Sequence, residues 1–111
     1  MSKNVQQISE FLSNDDTCLL INQVNDEIGC FYLTAIFYLS NEQEVNIIIN
    51  PSTLKQNQSQ DLFESKKVKI FNSYNSKEID KLINSKDKQI IISDYKNYKK
   101  YQKSIKCLNG Y

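Results

Sequence analysis

The sequence predicts a single three-layer α/β domain with about four mostly parallel strands and helices on both faces. Three observations predict it. Short apolar runs at residues 18–21, 45–49, 68–71 and 89–93 alternate with stretches of helical periodicity, the order of a parallel sheet with crossover helices. The runs are continuous instead of alternating, as in strands covered on both sides. No internal repeat, Gly/Ser linker or low-complexity tract divides residues 1–111, a length that buries roughly two-thirds of the unfolded chain's surface.

Val5, Ile8, Phe11 and Leu12 share one side of a helix that starts near Asn4 and stops at the polar run Ser13-Asn14-Asp15-Asp16. The first strand comes next, at 18–21, then a turn at 25–29. Over residues 28–39, Ile28, Phe31, Tyr32, Ala35, Ile36 and Leu39 keep the i, i+3, i+4, i+7, i+8, i+11 spacing, while Cys30, Leu33 and Phe37 fill much of the other side. A helix apolar nearly all round is buried on more than one face. One face meets the sheet, and in a chain this small the other is expected to meet a partner subunit, with Ile28, Phe31, Tyr32, Phe37 and Tyr38 as candidate contacts.

Residues 40–44 form a polar turn, and VNIII at 45–49 is the strongest strand signal, stopped by Asn50-Pro51. A loop is expected over 52–60, then a short helix over 61–66 with Leu62 and Phe63 inward. VKIF at 68–71 supplies the third strand. Asn75 and Glu78 have capping-box spacing for a helix carrying Ile79, Leu82 and Ile83. QIIIS at 89–93 is the fourth strand, and Asp94 is placed to cap the last helix. Over 95–108 the spacing predicts that helix, with Tyr95, Tyr98, Tyr101, Ile105 and Leu108 on one arc. Lys96, Lys99, Lys100, Lys103 and Lys106 occupy the opposite arc, a face suited to the phosphate backbone of RNA or DNA without base specificity. With the tyrosines turned inward, base stacking on them is not expected.

The chain has no histidine and no arginine. Imidazole acid/base catalysis, histidine metal ligation and arginine fingers are therefore excluded, leaving carboxylate, Lys, Tyr, Cys and hydroxyl chemistry. Cys18, Cys30 and Cys107 form no C-x-x-C motif and sit in apolar settings, reading as reduced structural thiols. The polar N-terminus and the lack of an apolar run long enough for a membrane span lead to the expectation of a cytosolic or nuclear protein with no membrane partner. Net charge is divided: residues 1–64 hold two Lys against nine acids, and residues 65–111 hold twelve Lys against four. Such asymmetry suits self-complementary folding, head-to-tail assembly, or a basic face for an acidic partner.

The strand, turn and buried helix of residues 17–39 are laid out like a P-loop unit, but NQVNDEIGC at 22–30 has one glycine and no G-K-[ST]. The motif needs glycines to bring backbone N–H groups to phosphate, a Lys for the β/γ-phosphates and a hydroxyl for Mg²⁺. All are missing, and Asp26 and Glu27 repel phosphate. QIIISD at 89–94 has the form of a Walker B strand, with a carboxylate at the edge where ligands bind. Asp15-Asp16 and Asp26-Glu27 are adjacent loop carboxylates explained by solvation or capping. No catalytic residue, cofactor or metal ligand is expected, and the chain is read as a non-enzyme.

The segments DDTCLLINQVNDEIGCFYLTAIFYLSNEQEVNIIIN, VKIFNSYN and KQIIISDYKNYKKY resemble the degenerate RecA-like subunits of the Elongator type, which keep the P-loop ATPase scaffold without its motifs. The resemblance spans most of residues 5–101. It implies a non-catalytic member of a hetero-oligomeric ring that supports tRNA wobble-uridine modification and can contact tRNA. By position, Gly29 and Asp94 match P-loop landmarks. RecA-like domains usually carry further strands beyond the Walker B position, whereas this chain stops at Tyr111.

Overall fold

In the computed structural model, which describes residues 3–40, 43–56, 68–70 and 76–110, the elements run α1 (Lys3–Ser13), β1 (Cys18–Asn22), α2 (Asp26–Ser40), β2 (Asn46–Ile49), α3 (Pro51–Gln56), β3 (Val68–Ile70), α4 (Ser76–Ile83), β4 (Gln89–Ser93), α5 (Tyr95–Tyr101) and β5 (Lys106–Asn109). The expected helix over 61–66 and the capping residue Asn75 lie outside the described residues. Among the described residues all strand pairings are parallel, in the order β3-β2-β4-β1-β5. The predicted fold class is therefore the observed one, with a fifth strand added.

Isoleucine-rich strands build the sheet because both their faces are covered. Leu19, Ile21, Ile47, Ile49, Ile90, Ile92 and Leu108 face α1 and α2, where they meet Ile8, Phe11, Leu12, Tyr32, Leu33 and Ile36. Cys18, Leu20, Ile48 and Ile91 face the other way, onto Ile79 of α4 and Tyr101 of α5. Successive strand residues thus feed opposite cores, which is why the strands read as unbroken apolar runs. The β1–β2 crossover, running toward β3, carries α2, and those returning toward β5 carry α4 and α5 on the opposite face, the arrangement in which crossovers share one hand.

Two elements depart from the expectation. The predicted loop at 52–60 begins instead with α3. Pro51 occupies the first helical position, where its missing N–H costs nothing, and Asn50 caps it, its Oδ1 accepting from the Ser52 N–H at 3.0 Å while its main-chain carbonyl accepts from Thr53 N–H at 3.0 Å. The second departure is the predicted helix over 95–108, which stops at Tyr101. Residues 106–109 form β5, with Leu20 opposite Cys107 and Ile21 opposite Leu108. Continuing the helix would leave one edge of β1 unpaired and would keep Leu108, buried in the α1/α2 core, out of it.

α1 is held from the far end of the chain. The Lys88 ammonium donates to the carbonyls of Phe11 at 2.6 Å, Asn14 at 2.9 Å and Asp16 at 2.8 Å, and lies 4.3 Å from the centre of the Phe11 ring. It occupies the negative end of the α1 dipole and gathers carbonyls of the last helical turn and of the chain just beyond it.

Candidate functional site

In this sheet β1 and β4 are neighbours whose outgoing connections pass to opposite faces, through α2 and α5 respectively. Ligands of open parallel sheets bind at the carboxyl ends of such a pair. Here those ends are polar: Asn22 lies opposite Ser93 of β4 and Asn109 of β5. Asn22 is 1% exposed. Its amide donates to Asn109 Oδ1 at 3.4 Å, while its own Oδ1 meets no donor among the described residues. Gly110 closes over this point, since a Cβ there would collide with the Asn22 carbonyl.

The turn between β1 and α2 is held by side chains. Asn25 Oδ1 accepts from the Ile28 N–H at 2.9 Å, capping α2. The Asp26 carboxylate accepts from Gln23 Nε2 at 2.8 Å and from Thr53 Oγ1 of α3 at 2.8 Å, with Ser52 Oγ at 3.5 Å. An internal carboxylate thus binds the turn to the next strand's connection at the place where a P-loop would bring phosphate. Gly29 has a packing role: a Cβ there would meet Gln23 Cδ at 2.7 Å and Thr53 Cγ2 at 2.8 Å. Asp94, the other landmark, is the cap of α5, its Oδ1 accepting from the Asn97 N–H at 2.9 Å.

The five candidate interface residues of α2 divide. Tyr32 is not available to a partner: it is 3% exposed, and its hydroxyl accepts from Asn4 Nδ2 at 2.9 Å. Ile28 and Phe37 are half-buried against the core. Phe31 and Tyr38 project outward, 53% and 76% exposed. They stand seven residues, about two turns, apart, which places them on one stripe of the helix.

The lysine face is broken by the end of α5. Lys96, Lys99 and Lys100 are exposed on the helix and Lys103 is exposed in the turn after it, but Lys106 belongs to β5. Two residues before Leu108, Lys106 points by strand alternation to the α1/α2 side, where it pairs with Asp16 at 3.3 Å. The tyrosine arc divides as well. Tyr101 is buried and donates to Asp80 at 3.1 Å, Tyr98 is half-buried, and Leu108 lies on the other side of the sheet. Tyr95 is 52% exposed, stacked at 6.4 Å and 21° on Tyr98. A signal for this exists in the sequence, because Tyr95 directly succeeds the capping Asp94, at the very start of the helix.

Burial holds the thiols protonated. Cys18 is pushed up to about 11 by desolvation, with Cys107 nearby; Cys107 is raised by desolvation alone. Cys30 is raised by desolvation and by Asp26 and Glu27. Among the described residues there is no cluster of three or more Cys, Asp or Glu able to hold a metal ion, and no helix long and apolar enough to cross a membrane. The site thus belongs to an all-parallel, doubly covered α/β sheet whose turn after β1 is tied by its own carboxylate. Comparison with protein-family models, curated proteins and solved structures returns no match.

Proposed function

We propose that this chain is a non-catalytic subunit of a hetero-oligomeric assembly, built on a degenerate P-loop scaffold and docked through the outer face of α2. The observation that carries the reading is the outward stripe of Phe31 and Tyr38 on a helix whose inner face is already filled. Single exposed apolar residues are ordinary, whereas two large aromatics on one helical stripe fit a partner surface. The tied turn around Asp26 and the protonated thiols support a non-enzymatic role, since they offer neither a phosphate cradle nor an activated nucleophile. The resemblance to degenerate RecA-like subunits points to an assembly that supports tRNA modification.

The test is affinity purification of the tagged protein from its native cell, with Phe31→Glu/Tyr38→Glu beside it. A stoichiometric complex with at least one other protein is expected, lost in the double variant while its melting temperature stays that of the wild type. A chain that migrates as a 13.0 kDa monomer, or a double variant that keeps the complex, overturns the reading.

A further inference from the structure

The lysine helix differs from its expected form at one place that changes its chemistry. Tyr95, expected on the inner arc, lies outside the core with about half its surface in solvent. Its ring is held nearly parallel to Tyr98, 21° between planes, and Tyr98 is in turn packed on the sheet. A ring supported from within and open outside is a stacking surface with little conformational freedom left to lose. The Lys99 ammonium lies 5.4 Å from the ring centre, and Lys96 is exposed one residue along the chain. Lys99 stands on a flexible four-carbon stem and can turn from the ring to a phosphate, leaving the ring face to a base. The segment YKNYKKY contains no acidic residue, and the preceding Asp94 has its carboxylate engaged by the Asn97 backbone and side chain at 2.9 and 3.3 Å.

We propose that Tyr95 is the stacking platform for an unpaired base of a single-stranded nucleic acid, with Lys96 and Lys99 holding the adjoining phosphates. Aromatic stacking tolerates any base, because every base has a π face, and phosphate contacts by lysine carry no sequence information. The site therefore reads strandedness and not sequence. A duplex keeps its bases stacked on one another and offers the ring nothing. The platform lies at the carboxyl end of β4, on the opposite face of the sheet from α2, so its failure leaves the α2 reading untouched.

The experiment is fluorescence anisotropy of the full chain with labelled oligouridine and oligoadenine, single-stranded and as their duplex, over a salt series. Binding to both single strands and markedly weaker binding to the duplex are expected. Affinity should fall with salt at a slope of about −0.7 per phosphate contact. Tyr95→Ala should weaken single-strand binding by roughly tenfold, within the range of one lost base stack, while Tyr95→Phe retains wild-type affinity. Lys96→Glu/Lys99→Glu should abolish binding at moderate salt. Tyr95→Trp keeps a larger ring and should bind at least as tightly, so refutation remains open even if the alanine variant loses stability. Equal affinity for duplex and single strand, wild-type affinity in Tyr95→Ala, loss of affinity in Tyr95→Trp, or no binding at low salt overturns the proposal. A protein partner seated on this face instead would leave the oligonucleotides unbound.

Discussion

The two helical layers cover the same five strands by different means. On the α1/α2 side Ile8, Phe11, Leu33 and Ile36 are wholly sealed from solvent, with Ile28, Phe37 and Leu39 half-buried at the margin. On the α4/α5 side Ile79 is sealed, but Leu82, Ile83, Tyr98, Ile105 and Cys107 stay half-buried. The cause lies in the helices themselves. α2, DEIGCFYLTAIFYLS, holds more apolar side chains than one contact face can take; α5, YKNYKKY, holds too few to seal its side. One layer has aromatic surplus to show a partner, and the other shows charge. Stability and recognition are thus distributed unequally across the sheet.

The two layers should differ most when a cavity is opened on each. Leu33→Ala should destabilise the fold by about 2–5 kcal/mol, whereas truncating the half-buried leucine on the other side, Leu82→Ala, should cost about 1–2 kcal/mol; urea denaturation of both variants checks it. Similar losses from the two would mean that the layers are equally tight.

Titration probes the same contrast from the α4/α5 side. The folded state keeps the Cys18 thiol protonated up to about 11, against an ordinary 9.0. Between those values the unfolded chain binds fewer protons, so stability falls as pH rises from about 9 to about 11. The wild-type loss should exceed that of Cys18→Ala by up to about 2–3 kcal/mol, read as the difference in denaturation midpoints across the window.

On the opposite layer, Gly29→Ala tests how closely α2 meets its neighbours. Helix propensity alone would make the change stabilising by about 1 kcal/mol. The crowding by Gln23 and Thr53 reverses the sign, and a net loss of about 1–3 kcal/mol is expected in thermal denaturation. The smallest effect belongs to the short helix: Asp94→Ala should cost about 1 kcal/mol, seen as faster amide exchange over residues 95–98 before any change elsewhere.

The parts legible from sequence are those governed by local pattern. QIIIS shows its true ends because the charged Lys88 and Asp94 stand on either side of it, and Asp94 shows itself as a cap by position alone. β5 is hidden because Lys-Cys-Leu-Asn is short, half polar, and a strand only by virtue of the β1 edge beside it. α3 is hidden because Asn50-Pro51 reads as an ending, although a capping Asn before a Pro is equally a beginning. At the carboxyl edge, the alignment of Asn22, Ser93 and Asn109 depends on the register of segments far apart in sequence. No local pattern encodes it.

The position of β1 has a consequence for how the protein is made. Among the described strands β1 comes first in sequence, yet its neighbours, β4 and β5, come last, and a lysine that holds α1 is residue 88. Until residues 89–109 are made, Cys18–Asn22 has neither backbone partner available, and α1 has α2 to pack on but lacks Lys88. Completion of the sheet therefore waits for β4 and β5, and pairings this distant in sequence are slow to form and leave apolar surface uncovered in the meantime.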